Sequence, residues 1–133
     1  MNLEAIGTAW TPRLLSVLRI ASGLLFLQHG TAKYLQIPPV PMFAKGVDPM
    51  TLVGVAGILE LVGGVLLIVG LFTRPVAFIL SGLMAVAYFM AHAPRGFYPI
   101  LNAGELAALY AFVFLFIAAA GAGPWSIDAM RKK

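Results

Sequence analysis

One carboxylate, Glu60, lies near the middle of an otherwise apolar run of eighteen residues, Gly54 to Leu71. A run of this length and composition is typical of a transmembrane helix. Because an ionisable group is expensive in hydrocarbon, Glu60 should face a protein interior and have a partner there. We predict that Glu60 handles protons at a functional site. The alternative is a structural carboxyl that locks the packing of helices.

A stripe of polar side chains is expected on the apolar segment that precedes this one. Its members follow one another at spacings of 3, 4, 3 and 4: Arg19, Ser22, Phe26, His29 and Lys33. At about 100° per residue they fall within roughly 80° of helical arc. His29 is predicted to handle protons beside Glu60, or else to be a satisfied core histidine. Lys33 and Arg19 would offer positive charge to a ligand, or else snorkel to the two membrane interfaces.

The later segments have polar faces of their own. One stripe on the third segment, with spacings of 4, 3 and 4, contains Ser81, Ala85, Tyr88 and His92. The fourth segment opens with Asn102 and Glu105, three residues apart on one helical face. If the stripes converge on the bundle axis, they form an outward-facing polar vestibule above Glu60. Its predicted ligand-binding residues are Arg19, Lys33, Tyr88, His92, Asn102 and Glu105.

Several chemistries could use such a vestibule. A quinone headgroup or another small polar ligand could be hydrogen-bonded by histidine and carboxylate groups. Haem held axially by His29 and His92 is another hypothesis. It requires that the two rings face one another across the bundle. A metal site with Glu60 and Glu105 added to the histidines is weak, since no spacing fixes two ligands on one helix. An ion or solute path would need a homo-oligomer. None of these groups specifies a reaction.

The composition indicates that lipid is the solvent of this chain. Of its 133 residues, 61% are hydrophobic and only 11% are charged, more apolar surface than a soluble domain of this size could hide. The absence of cysteine excludes disulfides, thiolate metal sites and iron–sulfur clusters. The formal net charge of +4 is scattered over segment ends, so it gives no indication of a nucleic-acid partner.

The apolar segments predict an all-α integral membrane protein of one domain, residues 1–133. Four helices, at about 14–35, 50–72, 75–93 and 102–122, are joined by connections short enough for an up-down-up-down bundle. Pro12 is expected just ahead of the first helix. The N-terminus lacks the basic region of a cleavable signal peptide, so we expect the first helix to remain in the mature protein.

The distribution of lysine and arginine predicts the orientation. One side would hold Arg13, Arg74, Arg131, Lys132 and Lys133, and the other Lys33, Lys45 and Arg95. This excess places both termini in the cytoplasm. The loops at 36–49 and 94–101 would then face outward.

Several motifs together resemble one known family. They are RIxxGLLFLxHG from Arg19, GxxELVGGxLLxxGL from Gly57, TRP at Thr73, MAVAYFMAH from Met84, NxxE at Asn102 and GxGPWSID from Gly121. Over nearly the whole chain they resemble the DoxX family of small bacterial inner-membrane proteins. The resemblance implies four transmembrane helices and kinship with the DoxD subunit of a thiosulfate:quinone oxidoreductase. It also implies association of some relatives with redox complexes, and recurrent polar positions at Arg19, His29, Lys33, Glu60, His92, Asn102, Glu105 and Asp128.

Two functions follow as hypotheses. The first is a subunit of a membrane redox complex, with a polar intramembrane pocket for a quinone-like or sulfur-oxyanion ligand. The second is a non-enzymatic membrane scaffold or small-solute carrier whose buried polar groups are structural. The second predicts that Glu60 is paired directly to Arg19, His29 or Lys33, with no room for a ligand.

Overall fold

The regular secondary structure in the described part of the chain is helical. A computed structural model describes residues 2–132, and no strand occurs in that range. The helices are α1 (Leu3–Tyr34), α2 (Leu52–Val69), α3 (Thr73–Ala87), α4 (Pro99–Asn102), α5 (Glu105–Ala120) and α6 (Ile127–Arg131). The predicted all-α class is confirmed.

In the described part of the chain, three helical stretches are long and apolar enough to cross a membrane. They are α1, α2 and the continuous run Thr73–Arg95, in which α3 is followed by a π-helical turn at Tyr88–His92 and a 3₁₀ turn at Ala93–Arg95. The fourth apolar helix, α5, has 16 residues and is therefore only about 24 Å long. It is shorter than the segment predicted at 102–122.

The first helix starts earlier than its sequence pattern predicts. It begins at Leu3 rather than near Leu14, so Pro12 lies inside α1 and not ahead of it. Asn2 makes this start possible, because its side-chain oxygen accepts a hydrogen bond of 2.8 Å from the N–H of Ala5. Because proline has no backbone N–H, Pro12 removes one hydrogen bond from the interior of α1.

The long helices pack in two pairs, α1 on α2 and α3 on α5. Glycines allow the first pair to approach closely. A Cβ added at Gly30 would lie 2.8 Å from the backbone nitrogen of Leu61, and one at Gly57 would lie 2.7 Å from Cε2 of Tyr34. These glycines therefore act as close-packing positions. The connection between α2 and α3 is only residues 70–72, so these two helices are antiparallel.

An aromatic core joins the two pairs. The ring of Phe26 on α1 meets Phe114 edge-on, with centroids 5.0 Å apart, and Tyr110 stacks on Phe114 at 5.3 Å. Such pairs stabilise a core beyond the area they bury. Ser81 on α3 adds a hydrogen bond of 2.6 Å to the carbonyl of Ala111 on α5. The interior is therefore filled at this depth.

A break between α4 and α5 separates two residues that were expected on one helical face. Ala103 adopts a left-handed conformation with φ of 62°, and Gly104 leads into α5. The side-chain oxygen of Asn102 accepts the N–H of Gly104 at 2.8 Å, which stabilises this turn. As a result Asn102 is buried whereas Glu105 is exposed. The predicted shared face of these two residues is wrong.

Candidate functional site

The closest contact between predicted site residues is an ion pair across the α1–α2 interface. Lys33 Nζ lies 2.9 Å from Oε1 and 2.7 Å from Oε2 of Glu60. Lys33 is 9% exposed and Glu60 is 4% exposed. A lysine that snorkelled to the interface would be exposed, so that reading of Lys33 is wrong. Both carboxylate oxygens have the same cation as their partner.

The surroundings of this pair are aromatic. On one side the ring of Phe43, in the 36–49 loop, has its centroid 5.3 Å from Lys33 Nζ. On the other side His29, one turn before Lys33 on α1, meets Tyr110 edge-on with a centroid distance of 6.2 Å. Nε2 of His29 is buried and has no hydrogen-bond partner among residues 2–132. Such an atom is a place where a bound molecule could complete the hydrogen bonding.

A second polar group forms the outer cluster, which consists of Tyr88, His92, Asn102 and Gly104. The Asn102 amide donates to the Tyr88 hydroxyl at 3.2 Å and to the Gly96 carbonyl at 2.9 Å. His92 Nδ1 lies 3.1 Å from the Asn102 carbonyl oxygen. A Cβ at Gly104 would lie 2.7 Å from Tyr88 Cε2, so only glycine fits there without displacement. Within residues 2–132, no hydrogen bond joins this cluster to Glu60 or Lys33.

Glu105 takes part in neither group. It is exposed at the first position of α5 and lines a shallow outer groove with Pro99, Leu106 and Leu109. An acidic residue in the first turn of a helix is favoured by the helix dipole. The structure therefore supplies a local reason for this carboxylate that needs no ligand.

Arg19 lies in a third group at the opposite end of the helices. The Arg19 cluster comprises its guanidinium, which is fully buried, and the backbone carbonyls that it binds. Nε donates to Ala122 at 3.1 Å, Nη1 to Leu67 at 3.2 Å and to Ile68 at 3.4 Å, and Nη2 to Trp125. Leu67 and Ile68 belong to the last turn of α2, whose carbonyls have no partner within the helix. The arginine thus joins α1, α2 and the chain after α5.

Asp128 attaches the C-terminal segment to the same end. Its two carboxylate oxygens accept the N–H groups of Phe72 at 2.9 Å and Thr73 at 2.8 Å, at the start of α3. Partial burial acts to raise the pKa of the Asp128 carboxyl. The hydrogen bonds from Thr73 and Phe72 and the nearby charge of Arg131 outweigh burial, so this pKa lies below its usual value.

Comparison with known proteins identifies the family. The DoxX family model matches residues 14–93. The chain belongs to the DoxX family. A Haemophilus influenzae protein is 49% identical over 132 residues, which are 96% of this chain and 94% of that protein. A second protein of that organism is 36% identical over 74 residues, which are 56% of this chain and 49% of its own length. Both are described as uncharacterized proteins, and no solved structure matches.

The matched range of this DoxX-family membrane protein contains six of the eight predicted site residues: Arg19, His29, Lys33, Glu60, Tyr88 and His92. The structure does not gather them at one point. Lys33 and Glu60 are bonded to each other, Tyr88, His92 and Asn102 form the outer cluster, and Arg19 is bound elsewhere to carbonyls.

These contacts bear on whether a metal ion or a quinone headgroup fits among the predicted site residues. Across residues 2–132, no three His, Asp or Glu side chains lie close enough together to hold a metal ion. A quinone headgroup at Glu60 would have to displace Lys33, which already contacts both carboxylate oxygens. Neither the outer groove nor the cavity at the Arg19 end includes Glu60 or His29.

Sequence patterns missed the backbone-binding roles of Ser16 and Arg74. Ser16 Oγ accepts the N–H of Trp125 at 3.1 Å, and Arg74 Nη1 donates to the carbonyls of Ala118 and Ala119 at the end of α5. Asp128 was found through the family motif and not through a helical stripe. Their position in the sequence could have indicated these roles. Arg74 and Asp128 flank turns, where helix ends leave backbone groups without partners.

Proposed function

We propose that this protein is a membrane-embedded scaffold subunit whose buried charges hold its helices in register. One observation carries the proposal: Lys33 occupies both carboxylate oxygens of Glu60 at 2.9 and 2.7 Å. A buried carboxylate used in ligand binding or proton transfer needs an accessible oxygen. Here each oxygen is already bonded to a residue of the neighbouring helix.

The proposed architecture is an up-down-up-down four-helix bundle in the bacterial inner membrane. Its spans are α1, α2, the Thr73–Arg95 run and α5. The lysine and arginine distribution supports cytoplasmic termini, with Arg13, Arg74, Arg131 and Lys132 at one end and Lys45 and Arg95 at the other. Lys133, which also entered that count, lies outside the described residues. The scaffold would present its lipid-facing helices to partner subunits or to further copies of itself.

The physical case concerns the cost of unpaired charge. An ion pair in a low-dielectric interior gains little net stability over apolar residues of similar volume, but removing one partner leaves a buried charge uncompensated. A pair that joins α1 to α2 therefore specifies one register of the two helices. We assign to Lys33 and Glu60 the function of fixing this register, and no part in a reaction.

A double-mutant cycle tests this proposal. Lys33→Met and Glu60→Met should each destabilise the protein, by about 3–5 kcal/mol for the loss of one partner. The double variant should recover most of the loss, because no buried charge remains. Thermal unfolding in mild detergent and the amount of protein in the membrane are the measurements. A double variant as unstable as the worse single variant contradicts the scaffold role.

Nε2 of His29, which has no partner in the described part of the chain, favours a second candidate, the redox subunit with a quinone-like or sulfur-oxyanion ligand. In it His29 and Glu60 handle protons, Arg19 and Lys33 supply charge, and Tyr88, His92, Asn102 and Glu105 form the outer pocket. Titration with a water-soluble quinone analogue tests it. Binding lost in His29→Ala but kept in Glu4→Gln, at an exposed position outside the pocket, would support this candidate; no binding to the unaltered protein would exclude a quinone. An absorption spectrum of the purified protein tests haem by its Soret band.

A further inference from the structure

A cavity of about 870 Å³ lies at the Arg19 end of the protein. Its walls come from α1 at residues 11–15, the end of the α2–α3 turn and the start of α3 at 72–75, and the chain from 120 to 132. The same C-terminal chain is fixed in place by Asp128 and by the Arg19 cluster. The cavity is therefore bounded by anchored segments and opens at the surface of the helix bundle.

Among the described residues, three cations line this cavity: Arg74, Arg131 and Lys132. Within residues 2–132, none of them is in an ion pair, because the one salt bridge of that range joins Lys33 and Glu60. The acid in the cavity wall is Asp128, and both of its oxygens accept backbone N–H groups. The cavity thus has an excess of positive charge that its own carboxylate does not bridge.

Two of these cations, Arg74 and Arg131, are held in position. Arg74 uses Nη1 for the carbonyls of Ala118 and Ala119, and its Nη2 and Nε make no hydrogen bond with the described chain. The Arg131 guanidinium lies over the ring of Phe72, 5.1 Å from its centroid. Guanidinium groups bind phosphate oxygens in a planar, two-pronged geometry. The guanidinium groups of Arg74 and Arg131 are therefore positioned to bind an anionic phosphate.

Apolar surface continues from the cavity along the helices. Leu15 and Pro75 line the cavity itself, and Phe72 and Leu14 are each more than half exposed nearby. A free anion would make no favourable contact with this apolar surface. A phospholipid would contact both parts of the site, because its phosphate binds cations and its acyl chains pack on apolar side chains. These two kinds of surface lie side by side at the depth where a helix bundle leaves the membrane.

We propose that this cavity is a binding site for the headgroup of an anionic phospholipid. The phosphodiester would lie among Arg74, Arg131 and Lys132, and an acyl chain would follow the surface beside Phe72 and Leu15. The site rests on the membrane embedding in the proposed function, but not on a structural role for the Lys33–Glu60 pair. It would tie the C-terminal segment to the membrane surface.

Native mass spectrometry of the full chain tests the site, with phosphatidylglycerol as the probe and phosphatidylcholine for comparison. The variant is Arg131→Gln/Lys132→Gln, which spares Arg74 and its bonds to α5. The matched control, Lys45→Gln/Arg95→Gln, removes two positive charges from the opposite end. We expect the first variant to bind phosphatidylglycerol roughly tenfold or more weakly, as for the loss of two surface cations near an anionic lipid. The control should bind as the unaltered protein does.

Three results would overturn the proposal. One is equal weakening in the variant and its control, which would indicate a general effect of net charge. Another is equal binding of phosphatidylcholine. The third is saturation of the site by millimolar inorganic phosphate with no effect of lipid, which would make it a free-anion site. The melting temperatures in the Lys33–Glu60 cycle are independent of this measurement, so either proposal can fail alone.

Discussion

The protein buries two cations on the same face of α1, and it satisfies them in opposite ways. Lys33 pairs with a side chain, the carboxylate of Glu60. Arg19 pairs with backbone carbonyls of Leu67, Ile68, Ala122 and Trp125. The first arrangement is electrically neutral, whereas the second depends on the partial negative charge at the end of a helix and on fixed peptide dipoles.

The difference matters for how each site can be changed. A side-chain partner can be removed together with its cation, which leaves an uncharged and packable interface. Backbone carbonyls cannot be removed by substitution. Without Arg19 the carbonyls of Ile68 and Trp125 lose the donor that binds them. Those of Leu67 and Ala122 keep the N–H of Gly70 at 3.2 Å and the hydroxyl of Ser16 at 3.4 Å. A buried carbonyl without a partner costs free energy comparable to a lost hydrogen bond. The end of the molecule that holds Arg19 should therefore be the less tolerant one.

The largest effect is expected for Arg19→Met. It leaves carbonyls in two separate segments without a donor, and hydrogen bonds to a charged group contribute about 1.5–3 kcal/mol each. We expect a loss of about 5 kcal/mol or more, enough to prevent accumulation of folded protein. The measurement is membrane abundance and thermal unfolding in detergent. Arg13→Met, at an exposed position, is the control. A folded Arg19→Met protein of normal stability would contradict the comparison.

An exchange of the two cations should sharpen the comparison. Arg19→Lys keeps the charge but loses the planar fork that reaches carbonyls on both α2 and the C-terminal chain. We expect a loss of about 2–3 kcal/mol, from one or two missing hydrogen bonds. Lys33→Arg should cost less, because a guanidinium also matches a carboxylate. Melting temperatures of the two variants give the order, and the reverse order would show that space beside Gly57 matters more than the type of partner.

The inward face of α1 could be predicted from sequence, because a period of 3.6 residues alone places Arg19 and Lys33 on one stripe. Membership of the DoxX family and the all-α class also followed from pattern and motif. The partners of the buried cations could not be predicted in this way. Periodicity gives the helix face on which a side chain lies. Whether Lys33 pairs with Glu60 or with a ligand depends on the distance between α1 and α2, which Gly30 and Gly57 set.

Helix ends were the least predictable feature. The early start of α1 depends on one asparagine cap, and the break at Ala103 depends on a left-handed residue that is not glycine. Single residues outside any repeat decide both. The convergence of four stripes on one vestibule failed for the same reason, since the break turns Glu105 away from Asn102.

Two glycines test how rigid the surroundings of each cation are. A Cβ at Gly70, where φ is +70°, would collide with Ser126 Cβ and lie 2.6 Å from Arg19 Nη1. One at Gly57 would mainly meet the side chains of Tyr34 and Lys33. We expect Gly70→Ala to cost about 2–3 kcal/mol from strain and overpacking. Gly57→Ala should cost about 1–2 kcal/mol, because flexible side chains can move.

Thermal unfolding measures both glycine variants. Gly82→Ala is the control, since a Cβ there would meet nothing within 4 Å. Equal losses at positions 70 and 57 would mean that the Arg19 cluster is no more rigid than the ion pair. A loss at the control position would show that α3 itself does not tolerate the change, and the other two values would then carry no comparison.

The smallest effect, expected for Asp128→Asn, concerns how the Arg19 end responds to pH. The folded pKa of Asp128 is lowered, so its contribution to stability is present above the unfolded value of about 3.9 and is lost as the pH falls through the folded value. At pH 6 the variant should lose about 1 kcal/mol, because an amide has one oxygen acceptor and leaves one of the two N–H groups without its partner. The melting temperatures of the two proteins should then converge toward pH 3. Glu4→Gln, at an exposed carboxylate, should leave the profile unchanged. A constant difference between pH 6 and pH 3 would mean that Asp128 acts through its shape and not through its charge.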